Sequence, residues 1–473
     1  MNIRKTIQNM FYAFFAQGLS LFMSVLMLAI VPKVLGIVEF SYWQLFLFYC
    51  SFVGFFHLGF NDGVYLQIGG KDYSEINKEL IGNQIRISFA IQTIIVLLIW
   101  MFLFFFINDG NREFILFTTG IYLLVYNLSG CIGLIFQAVN QTKVFSISTI
   151  IDKTLFLIFV CCILFLRIDN YKVLIVSYLV VRVLVLIYCI YKGKELIFVN
   201  NILDKAVVRD FLTNIIVGSK LMIANISSTL VLGIGRQVID SVWGLKAFGK
   251  FSFSISISSF FLLFISQISM VLFPALRASK TSIIKNFYIY MTQILDIILP
   301  VVYLAYFPVG IILNIWLPQY SESYTYLSLI LPLCVFDGKM QLMCNTYFKV
   351  LRRENFLLFI NIFSMIVSLL LSLISAFFIH NIYFVAIAML ISIAIRSVIS
   401  EIYLARVMKY SISNSLILEV MFAVLFVSGN LWLNRSLSFF VIFCAYVLLL
   451  IINKKNIIEI LRLLNCKVKN ISN

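Results

Sequence analysis

Apolar residues run along this chain in blocks of membrane-spanning length, from near the first residue to about Ile452, with short polar stretches between them. A helix needs about 20 apolar residues to cross the hydrocarbon core. Windows of that length predict fourteen spans, at 11–31, 40–60, 85–107, 114–138, 147–166, 172–191, 212–234, 248–273, 288–308, 325–345, 356–379, 383–404, 416–433 and 437–452. Only Asn434-Arg435-Ser436 separates the last two, as a kink or a very short turn, and twelve spans is the alternative count. No intervening segment approaches the roughly 50 residues that a folded extramembrane domain requires. The predicted fold class is an all-α polytopic membrane protein.

The largest polar interruption near the middle divides the chain into a six-helix lobe (1–191), a cytoplasmic linker (192–211), a second six-helix lobe (212–404), and two additional helices with a basic cytoplasmic tail (405–473). Each half opens with a long span, a short outer loop carrying a glycine and an acid, and a second long span. The two loops hold Gly36-Ile-Val-Glu39 and Asp240-Ser-Val-Trp-Gly244. This suggests a structural repeat, and two six-helix lobes around a central cavity is a common transporter plan. The last two spans then read as an appendage. Pro300 and Pro332 fall inside the ninth and tenth spans. There they either kink the helices statically or form an element that bends to open a cleft.

Composition agrees with a lipid solvent. Hydrophobic residues make up 62% of 473 positions and charged residues 12%, against about 25% charged in soluble domains. The net charge of +16 does not point to nucleic acid, because the chain has no soluble basic domain. It fits the excess of Lys and Arg on the cytoplasmic side of membrane proteins. With an even number of spans, 22 basic residues fall on the side of the termini, 6 on the opposite side and 8 within spans. Both termini are therefore expected in the cytoplasm. Arg4 and Lys5 precede a run too long for a cleaved signal, so that run reads as a retained span.

An ionisable group inside a span costs at least about 2.5 kcal/mol on insertion scales, so it usually faces the bundle interior. The deep candidates are Lys220, Asp296, Asp337, Lys339 and Arg396. Arg86, Asp152, Lys153, Arg182, Lys250 and Glu401 lie nearer span ends, where snorkelling explains them. The deep charges either line a cavity or form structural ion pairs. Asp337 and Lys339, two apart, point to different helix faces, so each needs a partner elsewhere. If Lys220, Lys339 and Arg396 converge, with Arg86 as a further cation, they form a pocket for a phosphate. Asp296 beside Pro300, together with Asp337 and Asp62, are the candidates for ion coupling. The sequence has no Gly-rich phosphate loop, G-x-S-x-G or H-E-x-x-H, and no Cys/His ligand spacing. No catalytic residue, metal or cofactor is expected, and a transporter is expected rather than an enzyme.

Several segments resemble bacterial oligosaccharide flippases of the multidrug/oligosaccharidyl-lipid/polysaccharide exporter superfamily. They are Gly36-Ile-Val-Glu-Phe40 with Trp43-Gln44, His57-Leu-Gly-Phe-Asn-Asp-Gly-Val-Tyr65, Gly69-Gly-Lys71, Gly235-Arg-Gln-Val-Ile-Asp240 with Trp243-Gly244, Phe273-Pro-Ala-Leu276, Trp316-Leu-Pro-Gln-Tyr320, and Gly338-Lys339 through Tyr347-Phe-Lys-Val-Leu-Arg352. The resemblance implies two lobes that alternate access to a cationic central cavity. It also implies a polyprenyl-pyrophosphate-linked oligosaccharide, of O-antigen or similar surface polysaccharide, carried to the outer leaflet of the inner membrane with ion-gradient coupling. Its implied partners are membrane lipid and the polymerase and chain-length regulator of the same pathway. A drug or metabolite exporter on the same fold is the alternative. A polysaccharide polymerase fits less well, because such enzymes present a sizeable outer loop.

Overall fold

Asparagine and aspartate in the short loops start the long helices. Asn77 accepts from the Leu80 amide at 3.0 Å, Asp109 from Asn111 at 2.9 Å, Asn170 from Lys172 at 2.8 Å and Asn381 from Tyr383 at 2.9 Å. These oxygens satisfy amide donors that the first helical turn leaves without partners. The computed structural model describes residues 3–200, 204–277, 281–410, 413–454 and 458, and omits the side chains of 3–14, 264, 266–275, 277, 281–283, 413 and 414. Among the described residues all regular structure is helical. The predicted tail beyond 458 and linker residues 201–203 lie outside them.

The chain divides into two compact units, Met1–Ile226 and Ser227–Asn473. The first holds α1 (Ile3–Ala29), α2 (Val31–Cys50), α3 (Phe60–Ile68), α4 (Lys78–Phe106), α5 (Gly110–Ala138), α6 (Thr142–Phe165), α7 (Tyr171–Lys192), α8 (Lys194–Ile197) and the start of α9 (Lys205–Arg277). The second holds the rest of α9, α10 (Thr281–Ile298), α11 (Val301–Trp316), α12 (Ser321–Ile330), α13 (Leu333–Lys339), α14 (Asn345–Val350), α15 (Glu354–Phe377), α16 (Ile382–Met408), α17 (Ser413–Trp432) and α18 (Arg435–Ile452).

Eleven stretches are long and apolar enough to cross a membrane, or twelve with the bent pair Pro318–Ile330 and Leu333–Val350. One of them, Lys205–Leu263, has 59 residues, far more than the roughly 20 a bilayer needs. It covers most of two predicted spans, which Gly244 separates. Another predicted span falls on α1, whose described apolar part is Phe15–Ala29. Each of the fourteen predicted spans thus overlaps a helix. The ninth is broken at Pro300, between α10 and α11. Large apolar side chains such as Phe104 and Ile315 point outward, as lipid-facing residues must.

The two halves repeat a specific backbone device. Gly36 in α2 has φ 71° and ψ −179°, and Gly244 in α9 has φ 80° and ψ 179°. This conformation is open essentially to glycine alone. Neither glycine has a neighbour where a Cβ would sit, so the dihedral, not space, demands the residue. Counting on from each glycine, Phe40 matches Phe248, Trp43 matches Phe251 and Leu45 matches Phe253, and all six are buried. Trp43 packs edge-on against Tyr178 at 5.8 Å, and Phe251 against Tyr326 at 5.6 Å.

The division between units falls later than the predicted linker because the start of α9 is locked onto the first unit. Gly63 faces the Asn214 backbone, and a Cβ on Gly63 would lie 2.0 Å from the Asn214 carbonyl oxygen. Gly218 meets Gly59 at the same distance. Such small-residue crossings let helix backbones touch. Asn214 also donates to Gln84 at 2.9 Å and to Gln67 at 3.1 Å.

The last two helices are not an appendage. Phe426 of α17 stacks on Tyr303 of α11 at 4.6 Å, and Phe439 of α18 packs on Phe307 at 5.1 Å. Tyr446 donates to the Ile297 carbonyl at 3.2 Å.

Candidate functional site

The deepest charges gather in the second unit, where two helices are interrupted. Leu299-Pro300 ends α10 just after Asp296. Pro332 separates α12 from α13 with a bend of 46°. Lys339 ends α13, and a π-helical segment, Met340–Cys344, follows at once. Such π segments often mark functional sites in helices, and broken helices in membranes surround polar sites.

The Lys339 ammonium is fully buried and meets three carboxylates. Asp296 of α10 lies at 2.6 Å, Glu401 of α16 at 3.3 Å, and Glu419 of α17 in direct contact. Glu401 is also fully buried, while Asp296 and Glu419 are 11% and 6% exposed. The second oxygen of Glu401 accepts from Ser397 at 3.2 Å. The other Glu419 oxygen, Oε1, is buried without a hydrogen-bond partner. Beside it lies a cavity of about 10 Å3, lined by Asp296, Lys339, Ser415, Glu419 and Asn453 among others. That is room for about one water molecule.

Asp337 and Lys339 do point apart, as their spacing requires. Asp337 pairs with Arg396 of α16, which donates to Ser228 at 2.6 Å, and Gln341 donates to the other Asp337 oxygen at 2.6 Å. The two adjacent sites therefore hold four acids against two bases.

In the second unit the two expected cations, Lys339 and Arg396, stand among acids. Lys339 meets three carboxylates, and Arg396 meets one, Asp337, together with the Ser228 hydroxyl. Lys220 is exposed on the part of α9 that belongs to the first unit. Arg86 donates to the carbonyls of Ile197 at 3.1 Å and Val199 at 2.5 Å, and to Asn83 at 3.3 Å. It thereby ties α4 to the chain after α7. Of the ion-coupling candidates, Asp296 and Asp337 sit in the paired sites. Asp62 lies in the first turn of α3, 4.0 Å from the His57 ring, and burial pushes its carboxyl up to about 6.

Two residues assigned to snorkelling, Asp152 and Glu401, are buried instead. Asp152 is 3% exposed and pairs with Arg182 and Lys153, each at 3.2 Å. The Arg182 guanidinium packs against the rings of Tyr178, Tyr122 and Tyr126 at 5.0–5.6 Å from their centroids. Glu401 and Glu419 escaped the deep set because each lies close to a predicted span end. Their signal was available: an acid in an otherwise apolar window.

No family model matches the chain, and no curated protein matches it by sequence. Solved structures do. The lipid II flippase MurJ, in an inward closed conformation, is similar at 15% identity with a TM-score of 0.66, covering 96% of this chain and 99% of its own. An inward-facing multidrug resistance MATE family transporter of the MOP superfamily is similar at 13% identity and TM-score 0.57, covering 83% of this chain and 94% of its own. An outward-facing MATE family transporter of the MOP superfamily reaches 11% and 0.52, covering 86% and 95%. These are transporters and flippases, not enzymes, and the likeness establishes the fold.

Proposed function

We propose that this chain, a polytopic membrane protein with the fold of MOP-superfamily transporters and flippases, moves a polyprenyl-pyrophosphate-linked oligosaccharide from the cytoplasmic to the outer leaflet. The oligosaccharide is a repeat unit of O-antigen or a similar surface polysaccharide, and the cycle is alternating access coupled to an ion gradient. The observation that carries this reading is the extent of the structural match. The lipid II flippase covers 96% of this chain, whereas the two MATE transporters cover 83% and 86%. A lipid-linked precursor carrier is thus the fuller template.

The acid-rich cluster is the one observation that favours a cationic drug instead. Its cavity of about 10 Å3 has no room for a drug, and Lys339 already fills its centre. In the flippase reading the pyrophosphate is met by a cation not spent on carboxylates, and Lys220 is the exposed candidate among the four predicted. The charge asymmetry of the loops supports the bacterial inner membrane with both termini cytoplasmic. The polymerase and chain-length regulator of the same pathway are the natural protein partners.

The test is complementation. A strain lacking the gene regains surface polysaccharide with the wild type. Lys220→Ala is expected to lower the yield about tenfold, the effect of one lost charged contact of roughly 1.4 kcal/mol. Full rescue at matched protein levels would remove Lys220 from the role. Normal polysaccharide without the gene, and without a redundant flippase, would move the reading to export of a small molecule.

A further inference from the structure

We propose that the Lys339 cluster is a cation site filled by the chain's own ammonium, whose exchangeable ligand is the proton, held first at Glu419 Oε1. An ammonium has three N–H donors, and here it faces three carboxylates from three other helices. Two of the contacts are hydrogen bonds and the third, to Asp296 Oδ1, is an ion pair at 2.6 Å, so the ammonium occupies the position a metal ion would need. Among the described residues no group of three or more His, Cys, Asp and Glu is arranged to hold a metal.

The charges do not balance. One ammonium offsets one of the three carboxylates. Arg396, on the same helix as Glu401, is spent on Asp337. Two formal negative charges would remain in a low-dielectric, buried setting, where an isolated carboxylate is strongly disfavoured and takes up a proton instead. Glu401 uses both oxygens, one on Lys339 and one on Ser397. Glu419 uses only Oε2, and its buried Oε1 has no partner. That oxygen is the natural seat of the proton, and the one-water cavity beside it offers a path for exchange.

The other titratable groups around the cluster keep their own protons at neutral pH. Cys344 of the π segment, Tyr288 of α10, Tyr303 of α11 and Tyr410 after α16 feel the cluster's charges but ordinarily ionise well above neutrality. α18 contributes Leu449 and Asn453, which do not titrate. Lys339 lies between the Pro332 bend and the π segment, on a helix built with two irregularities. Repacking of that helix changes how many carboxylates the ammonium meets, and so how many protons they hold. The use of this exchange to drive transport rests on the flippase reading. Proton binding by the cluster does not.

The experiment is infrared difference spectroscopy on the purified full chain, reading the C=O stretch of protonated carboxyls as pH is varied. Wild type is expected to show a band that falls reversibly as pH rises and is indifferent to replacing choline with sodium. Glu419→Gln is expected to lose about one carboxyl of that band, and Glu401→Gln to leave it in place. Equal bands in wild type and Glu419→Gln at every pH would overturn the assignment. So would a band that sodium removes at fixed pH, which would mark a metal site. Should Glu419→Gln fail to fold, the wild-type response to pH and sodium still decides. A wild-type chain that shows the band but restores no surface polysaccharide to the strain lacking the gene would count against the flippase reading alone.

Discussion

Lys339→Met is expected to destabilise the folded protein by about 3–5 kcal/mol, the range for removing one partner of a buried ion pair. The side chain is fully buried, and three carboxylates depend on it. Methionine matches the aliphatic stem but leaves acids facing one another without a counter-ion, and repulsion at such distances is weakly screened in a protein interior. Those acids can then be neutralised only by protons, so acidification is expected to rescue the variant more than it affects the wild type. The double variant Lys339→Met/Glu419→Gln, with one acid fewer, is expected to recover part of the loss. Thermal unfolding of the detergent-purified proteins across pH reads all three. A Lys339→Met protein that melts with the wild type at every pH would mean that the cluster holds little energy.

The second large effect concerns the start of α9. Gly218→Leu is expected to cost at least the roughly 1–3 kcal/mol typical of overpacking, and more here because the obstacle is backbone. A Cβ at Gly218 would sit 2.0 Å from the Gly59 carbonyl oxygen, and 2.5 Å from the Gly63 nitrogen. No rotamer change relieves that, so α9 must separate from α3 and lose the Asn214 bonds to Gln67 and Gln84. Gly130→Ala in α5 is the control, because nothing lies within 4 Å of its added Cβ. It is expected to be neutral or to gain up to about 1 kcal/mol in helix propensity. Yield and melting temperature measure both. A Gly218→Leu protein as stable as wild type would show that the crossing is not tight.

The helices were legible because lipid admits only helices and closed barrels, and unbroken apolar blocks of about 20 residues have the length of a spanning helix rather than of a strand. The repeat was legible only as a faint likeness of two loops, yet Gly36 and Gly244 share a backbone conformation that few residues can adopt. The partners of the buried charges were not legible. Spacing shows that Asp337 and Lys339 face apart, but not that α16 supplies Arg396 to one and Glu401 to the other. Lysines and arginines scattered over several spans read as a cationic pocket when the acids opposite them are hidden near span ends. Glu419 is the clearest case. It lies one turn inside the thirteenth span, and its helix, read as an appendage, completes the cluster. The junction within α9 was hidden for another reason: Gly59, Gly63 and Gly218 show their meaning only when two backbones are seen in contact.

The most direct test of the central claim is the membrane leaflet in which lipid-linked repeat units reside. In a strain without the gene they are expected to accumulate as single units on the cytoplasmic face, protected from reagents that reach only the outer face, and wild-type protein is expected to restore their exposure. Units that reach the outer face without the protein, and there remain unpolymerised, would contradict flipping and point to the polymerisation step instead.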